Sequence, residues 1–118
     1  MTQLPRAIGD QAENQALRYL EQQGLRLLTR NFQIRRGEID LVMQHADELV
    51  FVEVRARSNT AYGDGVESIN RSKRQRLVAA ASAYLQRHRY DMPARFDVVA
   101  IDGQGQINWI ADAFRADD

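Results

Sequence analysis

The chain of 118 residues contains no cysteine. That removes disulfides, thiolate zinc sites and cysteine nucleophiles, and it suits a reducing cytoplasm. Histidine is nearly absent as well. His45 and His88 stand far apart, in a turn and late in a helix, and both are expected at the surface, so they form no imidazole cluster. An excess of one charge is also missing. Sixteen basic residues balance sixteen acidic ones and the formal net charge is zero, so no global field draws the protein toward nucleic acid. No apolar run approaches the roughly 20 residues of a membrane span. The opening Met1-Thr2-Gln3-Leu4-Pro5-Arg6 lacks the apolar core of a signal peptide, and a cytoplasmic protein without membrane contact is expected. There is no repeat, low-complexity segment or internal linker. There is also no serine-centred triad, phosphate-cradling glycine loop or dinucleotide fingerprint. Lysine is the last scarcity: every basic residue is arginine except Lys73.

What is present fits one folded domain, with 44% hydrophobic and 27% charged residues and length enough for a proper core. Residues 1–8 read as a flexible leader and 9–118 as the domain. A first helix is expected from about Asp10 to Gln23. Asp10 and Glu13 form its capping box, Ala12, Ala16, Leu17 and Leu20 its apolar stripe, and Gly24 its stop. Residues 25–34 read as a strand, and Arg35-Arg36-Gly37 turns the chain. A second strand runs from about Glu38 to Gln44 and a third from Glu48 to Arg57. Residues 58–68 form a loop. A second helix from Asn70 or Ser72 to Arg89 carries Lys73, Leu77, Ala80, Ala81 and Tyr84 on its inward stripe. Arg95 to Ile101 and Ile107 to Ile110 supply two more strands, with Phe114 closing over the core. The order α-β-β-β-α-β-β gives an α/β fold, a mixed sheet flanked by helices.

The hairpin of strands two and three draws attention because each strand carries acid inside an apolar run. Asp40 lies between Ile39 and Leu41, and Glu53 between Val52 and Val54. A carboxylate in such a strand is costly unless a cation or donors compensate it. Two acids on neighbouring strands suit Mg²⁺, which takes oxygen ligands and is often held by one or two carboxylates plus water and phosphate. Left without a cation, such a pair keeps one member protonated. Arginine pairing, through Arg55 or Arg57, explains the acids equally well. Period-two alternation places Phe51, Glu53, Arg55 and Arg57 on one face of strand three, and Val50, Val52, Val54 and Ala56 on the other. Glu38 shares a face with Asp40 and either adds a ligand or pairs with Arg35 or Arg36. Glu13 either caps its helix or reaches toward the acids. Lys73, at the first turn of the inward face, either holds a phosphate or snorkels past the sheet edge. Arg71, Arg74 and Arg76 either grip nucleic-acid phosphates or form a solvated helix face.

In their order, Gly37-Glu38-Ile39-Asp40-Leu41-Val42, Val50-Phe51-Val52-Glu53-Val54-Arg55-Ala56-Arg57, Lys73 leading a helix, Arg95-Phe96-Asp97-Val98-Val99-Ala100 and Trp109-Ile110-Ala111-Asp112-Ala113-Phe114 resemble the YraN-like bacterial family. The resemblance runs from about Gly9 to Phe114 and includes Glu13 with Ala16, Tyr19 and Leu20. That family is similar to restriction-endonuclease-like nucleases of the PD-(D/E)xK type and to archaeal Holliday-junction resolvases. The resemblance implies a restriction-endonuclease-like core with a metal site at one edge of its sheet. Asp40 would take the first acid of the signature, Glu53 the second, Arg55 the position of the lysine, and Glu13 the acid of the first helix. Mg²⁺, or Mn²⁺ in its place, would sit between Asp40, Glu53 and the carbonyl of Val54. The implied reaction is hydrolysis of a phosphodiester in nucleic acid, expected to be DNA, branched or damaged forms among the candidates. A binding module of the same fold and a protein-interaction scaffold are the alternatives. A junction-cutting role would call for a twofold homodimer. Two positions depart from the pattern: Arg55 replaces the lysine, and Ile39 replaces the proline before the first acid. Arg55 suffices if the lysine only supplies charge, because a guanidinium does not accept a proton at ordinary pH.

Overall fold

The computed structural model describes residues 3–56 and 69–116, with residues 3–9 described as backbone. Two helices and five strands follow the expected order: α1 (Gln3–Gln22), β1 (Arg26–Ile34), β2 (Gly37–His45), β3 (Glu48–Ala56), α2 (Arg71–His88), β4 (Ala94–Ile101) and β5 (Ile107–Phe114). The strands form one sheet in the order β1-β2-β3-β4-β5. All neighbours are antiparallel except β3 and β4, which run parallel and are joined through α2. The architecture is a mixed α/β sheet flanked by two helices. No helix among the described residues is long and apolar enough to cross a membrane. Arg57 and the loop expected over 58–68 lie outside the described residues.

Each face of the sheet has its own core, because alternate residues of the central strands point to opposite sides. Toward α2 pack Val42, Leu49, Phe51 and Phe96 with Leu77, Ala80 and Tyr84 of the helix. Toward α1 pack Leu41, Met43, Val50, Val52 and Val99 with Ala12, Ala16 and Leu20. The split of β3 follows the expected alternation, with Phe51 on one side and Val50 and Val52 on the other. Buried on both faces, β3 tolerates a near-continuous apolar run.

Three sequence expectations are corrected. Helix α1 begins at Gln3, not Asp10, so residues 3–8 are helical. Pro5 lies in the first turn, where a helix has no use for the missing N–H. Asp10 is therefore an interior residue and no capping box forms. The Asp10 carbonyl accepts from Arg30 at 3.4 Å. At the other end Gly24 stops the helix as expected, with φ of 97° and the Leu25 N–H returning to the Leu20 carbonyl at 3.1 Å.

Strand β5 is the third correction, running on to Phe114 instead of stopping at Ile110. Asp97, 1% exposed, holds this extension. Its carboxylate accepts from the Asp112 N–H at 2.9 Å, from Trp109 Nε1 at 2.9 Å and from Arg95 Nε at 3.0 Å. Arg95 in turn donates to Glu48 Oε1 at 2.8 Å. Asp112 takes a left-handed φ of 52° where the β4–β5 register slips. A side chain on β4 thus bonds the backbone at a kink in β5 and lets the pairing resume at Phe114, which stacks on Phe96.

Candidate functional site

The site forms where β2 and β3 part. Their pairing runs from His45↔Glu48 to Leu41↔Val52. The next pair, Asp40 with Glu53, does not form. The Val54 N–H donates instead to Asp40 Oδ2 at 2.8 Å, so a side-chain carboxylate stands in for a backbone carbonyl at the end of the ladder. The cause lies in the flanking residues. Ile39 and Leu41, two apart, would share a face in a regular strand, yet Ile39 is buried in the core under α2 and Leu41 in the core under α1. The chain therefore takes an irregular step at Asp40. Strand β1 matches it: Asn31, between the pairs Arg30↔Leu41 and Phe32↔Ile39, adopts φ of 57°. The paired irregularity, without a change of register, re-aims one side chain, that of Asp40.

Around this point lies a recess of about 200 Å³ lined by Glu13, Glu38, Asp40, Glu53, Arg55 and Lys73, with Ala12, Val54 and Ala56. Three elements converge on it: α1 through Glu13, the parting strands through Asp40 and Glu53, and the first turn of α2 through Lys73. Glu53 is 5% exposed. Its Oε2 lies 3.1 Å from Lys73 Nζ and 3.7 Å from Arg55 Nη1. Glu13 pairs with Arg30 at 3.2 Å. Among the described residues no cation pairs with Asp40. Burial in the recess and the neighbouring Glu53 carboxylate push the Asp40 carboxyl up to about 8, Glu13 adding to the rise and the Val54 N–H opposing it.

These donors fit an open divalent-cation site. No three His, Asp or Glu side chains among the described residues form a closed cage. What converges is two carboxylates and a backbone edge. In an extended strand the N–H and C=O of one residue point to the same side, so the Val54 carbonyl faces the gap that Asp40 occupies. Two carboxylates with one carbonyl leave half of an octahedron to water and phosphate, as suits Mg²⁺.

The expected residues are thus sorted. Glu13, Asp40, Glu53, Arg55 and the Val54 backbone meet in one recess. Lys73 joins them and does not share the outer surface of α2 with the arginines. Asn70 sets its position: the Asn70 side chain caps α2 by accepting from the Lys73 N–H at 2.9 Å. Arg71 and Arg76 are exposed on the helix. Arg74 is committed elsewhere, its Nε donating to the Ile69 carbonyl at 3.1 Å and its guanidinium lying 5.3 Å from the centroid of the Phe114 ring. Glu13 is no cap, and its partner Arg30 is a residue that sequence reasoning missed, since nothing local links positions 13 and 30. Gly37 was read only as a turn. It is buried against α2, and a Cβ there would overlap the carbonyl oxygen of Arg76 and lie 2.7 Å from its carbonyl carbon. Its lack of a side chain is what seats α2, and Lys73 with it, on the sheet.

Comparison with known proteins places the chain. A sequence profile described as "Uncharacterised protein family UPF0102" matches residues 12–101. A UPF0102 protein of Halorhodospira halophila is 56% identical over 113 residues, covering 94% of this chain and 89% of its own. One from Pseudomonas fluorescens is 53% identical over 109 residues, covering 90% and 91%. One from a Shewanella species is 51% identical over 107 residues, covering 91% and 98%. The matched segment runs from the turn of α1 that bears Glu13 to the end of β4, and so contains every residue that lines the recess, Ala12 at its boundary included. The chain belongs to the UPF0102, or YraN-like, family.

Proposed function

We propose that this protein is a metal-dependent nuclease that hydrolyses phosphodiester bonds in DNA, with branched or damaged DNA among its substrates. The observation that carries the reading is Asp40: a carboxylate at the base of a recess, beside a second buried carboxylate, with no cationic partner among the described residues. Ionised, such a group is costly, and a divalent cation between it and Glu53 would remove the cost. The resemblance to PD-(D/E)xK nucleases assigns the same two residues. The size of the recess argues in the same direction. At about 200 Å³ it is smaller than the roughly 300–1,000 Å³ of small-molecule sites, but it can admit one phosphate of a polymer that lies outside.

In this reading Asp40, Glu53 and the Val54 carbonyl hold Mg²⁺ or Mn²⁺. The cation, when bound, supplies Lewis-acid neutralisation of the phosphate and lowers the pKa of water. Arg55, on the same strand face as Glu53, stabilises charge that develops on the phosphate. Lys73 takes the role the signature assigns to the strand lysine. Its amine lies nearer Glu53 than the Arg55 guanidinium does, and unlike guanidinium it exchanges a proton. It orients the attacking water and binds the scissile phosphate. Glu13, held by Arg30, bounds the recess on the α1 side and raises its negative charge.

A second reading, a nucleic-acid-binding module that does not cut, has one observation in its favour. Lys73 and Arg55 already neutralise Glu53 without metal. Titration calorimetry with Mg²⁺ and Mn²⁺ separates the two. The nuclease reading expects binding in the wild type that disappears in Asp40→Asn and in Glu53→Gln. Absence of binding in the wild type, repeated with an oligonucleotide present, assigns the protein to the second reading.

A further inference from the structure

We infer that the β1–β2 turn, through Arg35 and Arg36, forms with Arg76 of α2 a basic rim that takes the phosphates of a nucleic-acid strand flanking the one in the recess. The inference rests on the proposed reading for the identity of the strand, but its geometry is independent of the metal.

The rim arises from one contact. Arg35 and Arg36 connect Ile34 to Gly37 in a tight hairpin, where Ile34 and Gly37 pair directly. Gly37 lies against the backbone of Arg76, closer than any side chain would permit. The turn arginines and the early turns of α2 are therefore neighbours, although some forty positions separate them in sequence. Glu38, next after Gly37, lines the recess, and so does Lys73, one helical turn before Arg76. The rim accordingly borders the recess on the side of β2 and α2.

Charge and exposure then indicate the partner. Arg35, Arg36 and Arg76 are all exposed. Other arginines are taken up: Arg30 by Glu13, Arg74 by Ile69 and Phe114, Arg95 by Asp97 and Glu48. Among the described residues none of the three rim arginines has an ion-pair partner. Three uncompensated guanidiniums from two elements, in a chain of zero net charge, describe a local surface for a polyanion. Guanidinium forks match phosphate oxygens in pairs. Glu38, next to the turn, lies on the recess side, where a cation is proposed. A nucleic-acid strand, with phosphates at regular intervals, satisfies both features at once: one phosphate in the recess and its neighbours on the rim.

The test is fluorescence anisotropy with the full-length wild-type protein in EDTA, which suppresses cleavage, and a labelled DNA oligonucleotide. The salt is varied from about 50 to 200 mM, where phosphate contacts dominate the dependence. The expected result for Arg35→Ala/Arg36→Ala is weaker binding and a slope of log affinity against log salt reduced by about 1 for each arginine removed. Arg76→Ala behaves in the same way. Arg18→Ala/Arg89→Ala, exposed at other places, leaves the slope unchanged. Circular dichroism melts confirm that each variant folds. An unchanged slope in Arg35→Ala/Arg36→Ala overturns the rim, as does the absence of salt-dependent binding in the wild type. Equal affinity for polyglutamate of matched charge overturns its assignment to nucleic acid. Loss of metal binding in calorimetry, with the rim result intact, would instead defeat the nuclease reading alone.

Discussion

Replacing Asp40 with Asn tests the electrostatics of the recess without reference to any substrate. Asn keeps the shape of the side chain, and its carbonyl oxygen can accept the Val54 N–H that Oδ2 accepts now. What it removes is the ionisation. An ordinary aspartate titrates near 3.8, and here burial and Glu53 push the group up to about 8. The folded state therefore holds a proton that the unfolded chain has lost, between about pH 4 and pH 8. Stability from this group is full below the unfolded value and is lost as pH rises toward the folded one. At roughly 1.4 kcal/mol per pH unit the whole interval sets a ceiling of about 6 kcal/mol. The recess is open to solvent and Lys73 stands nearby, so screening brings the expected cost at pH 8 to about 2 kcal/mol. In EDTA, Asp40→Asn is expected to be more stable than wild type by that amount at pH 8 and to match it near pH 4.5. Urea melts across this range measure the difference directly. An Asn variant less stable than wild type at pH 8, or a constant offset between the two curves, would refute the argument that the carboxylate is uncompensated.

Gly37→Ala should lower stability by about 1–3 kcal/mol, the ordinary cost of overpacking, because its Cβ meets helix backbone and not a movable side chain. Calorimetric melts would show a lower Tm, and α2 displaced from the sheet should also weaken metal binding through Lys73 and Glu53. Asp97→Ala removes an acceptor for Arg95, Trp109 and the Asp112 N–H and leaves a half-buried guanidinium short of a partner. The expected loss is about 3–5 kcal/mol, with hydrogen exchange fastest at residues 111–114 of β5. Asn70→Ala deletes the cap of α2. It should cost about 1 kcal/mol, read by thermal melts, and should loosen the first turn that carries Lys73.

The amino-acid order by itself determined most of the architecture. The apolar periods of β2, β3 and β4, the stripe Leu77, Ala80, Ala81, Tyr84 and the stop at Gly24 are local patterns, and each became the element that its period required. Asp40 and Glu53 stood out for the same reason: a carboxylate inside an apolar run violates a local rule, and such violations are visible without coordinates. Local reasoning failed where a local pattern had a distant cause. Asp10 and Glu13 resemble a cap, but Glu13 faces Arg30. The apolar pattern of β5 ends at Ile110, but Asp97 carries the strand to Phe114.

Tertiary structure alone decided which of the candidates meet. Sequence separates Lys73 from the arginines beside it by nothing, yet one turn of helix sends its amine to Glu53 and leaves Arg71 and Arg76 in solvent. Gly37 shows the reason in its simplest form. Its sequence neighbours say only that the chain turns, whereas its contact with Arg76 joins two elements and fixes the border of the recess. Periodicity records how each segment meets the core. The distances between segments are set by packing, and packing depends on pairs of residues that the chain order does not bring together.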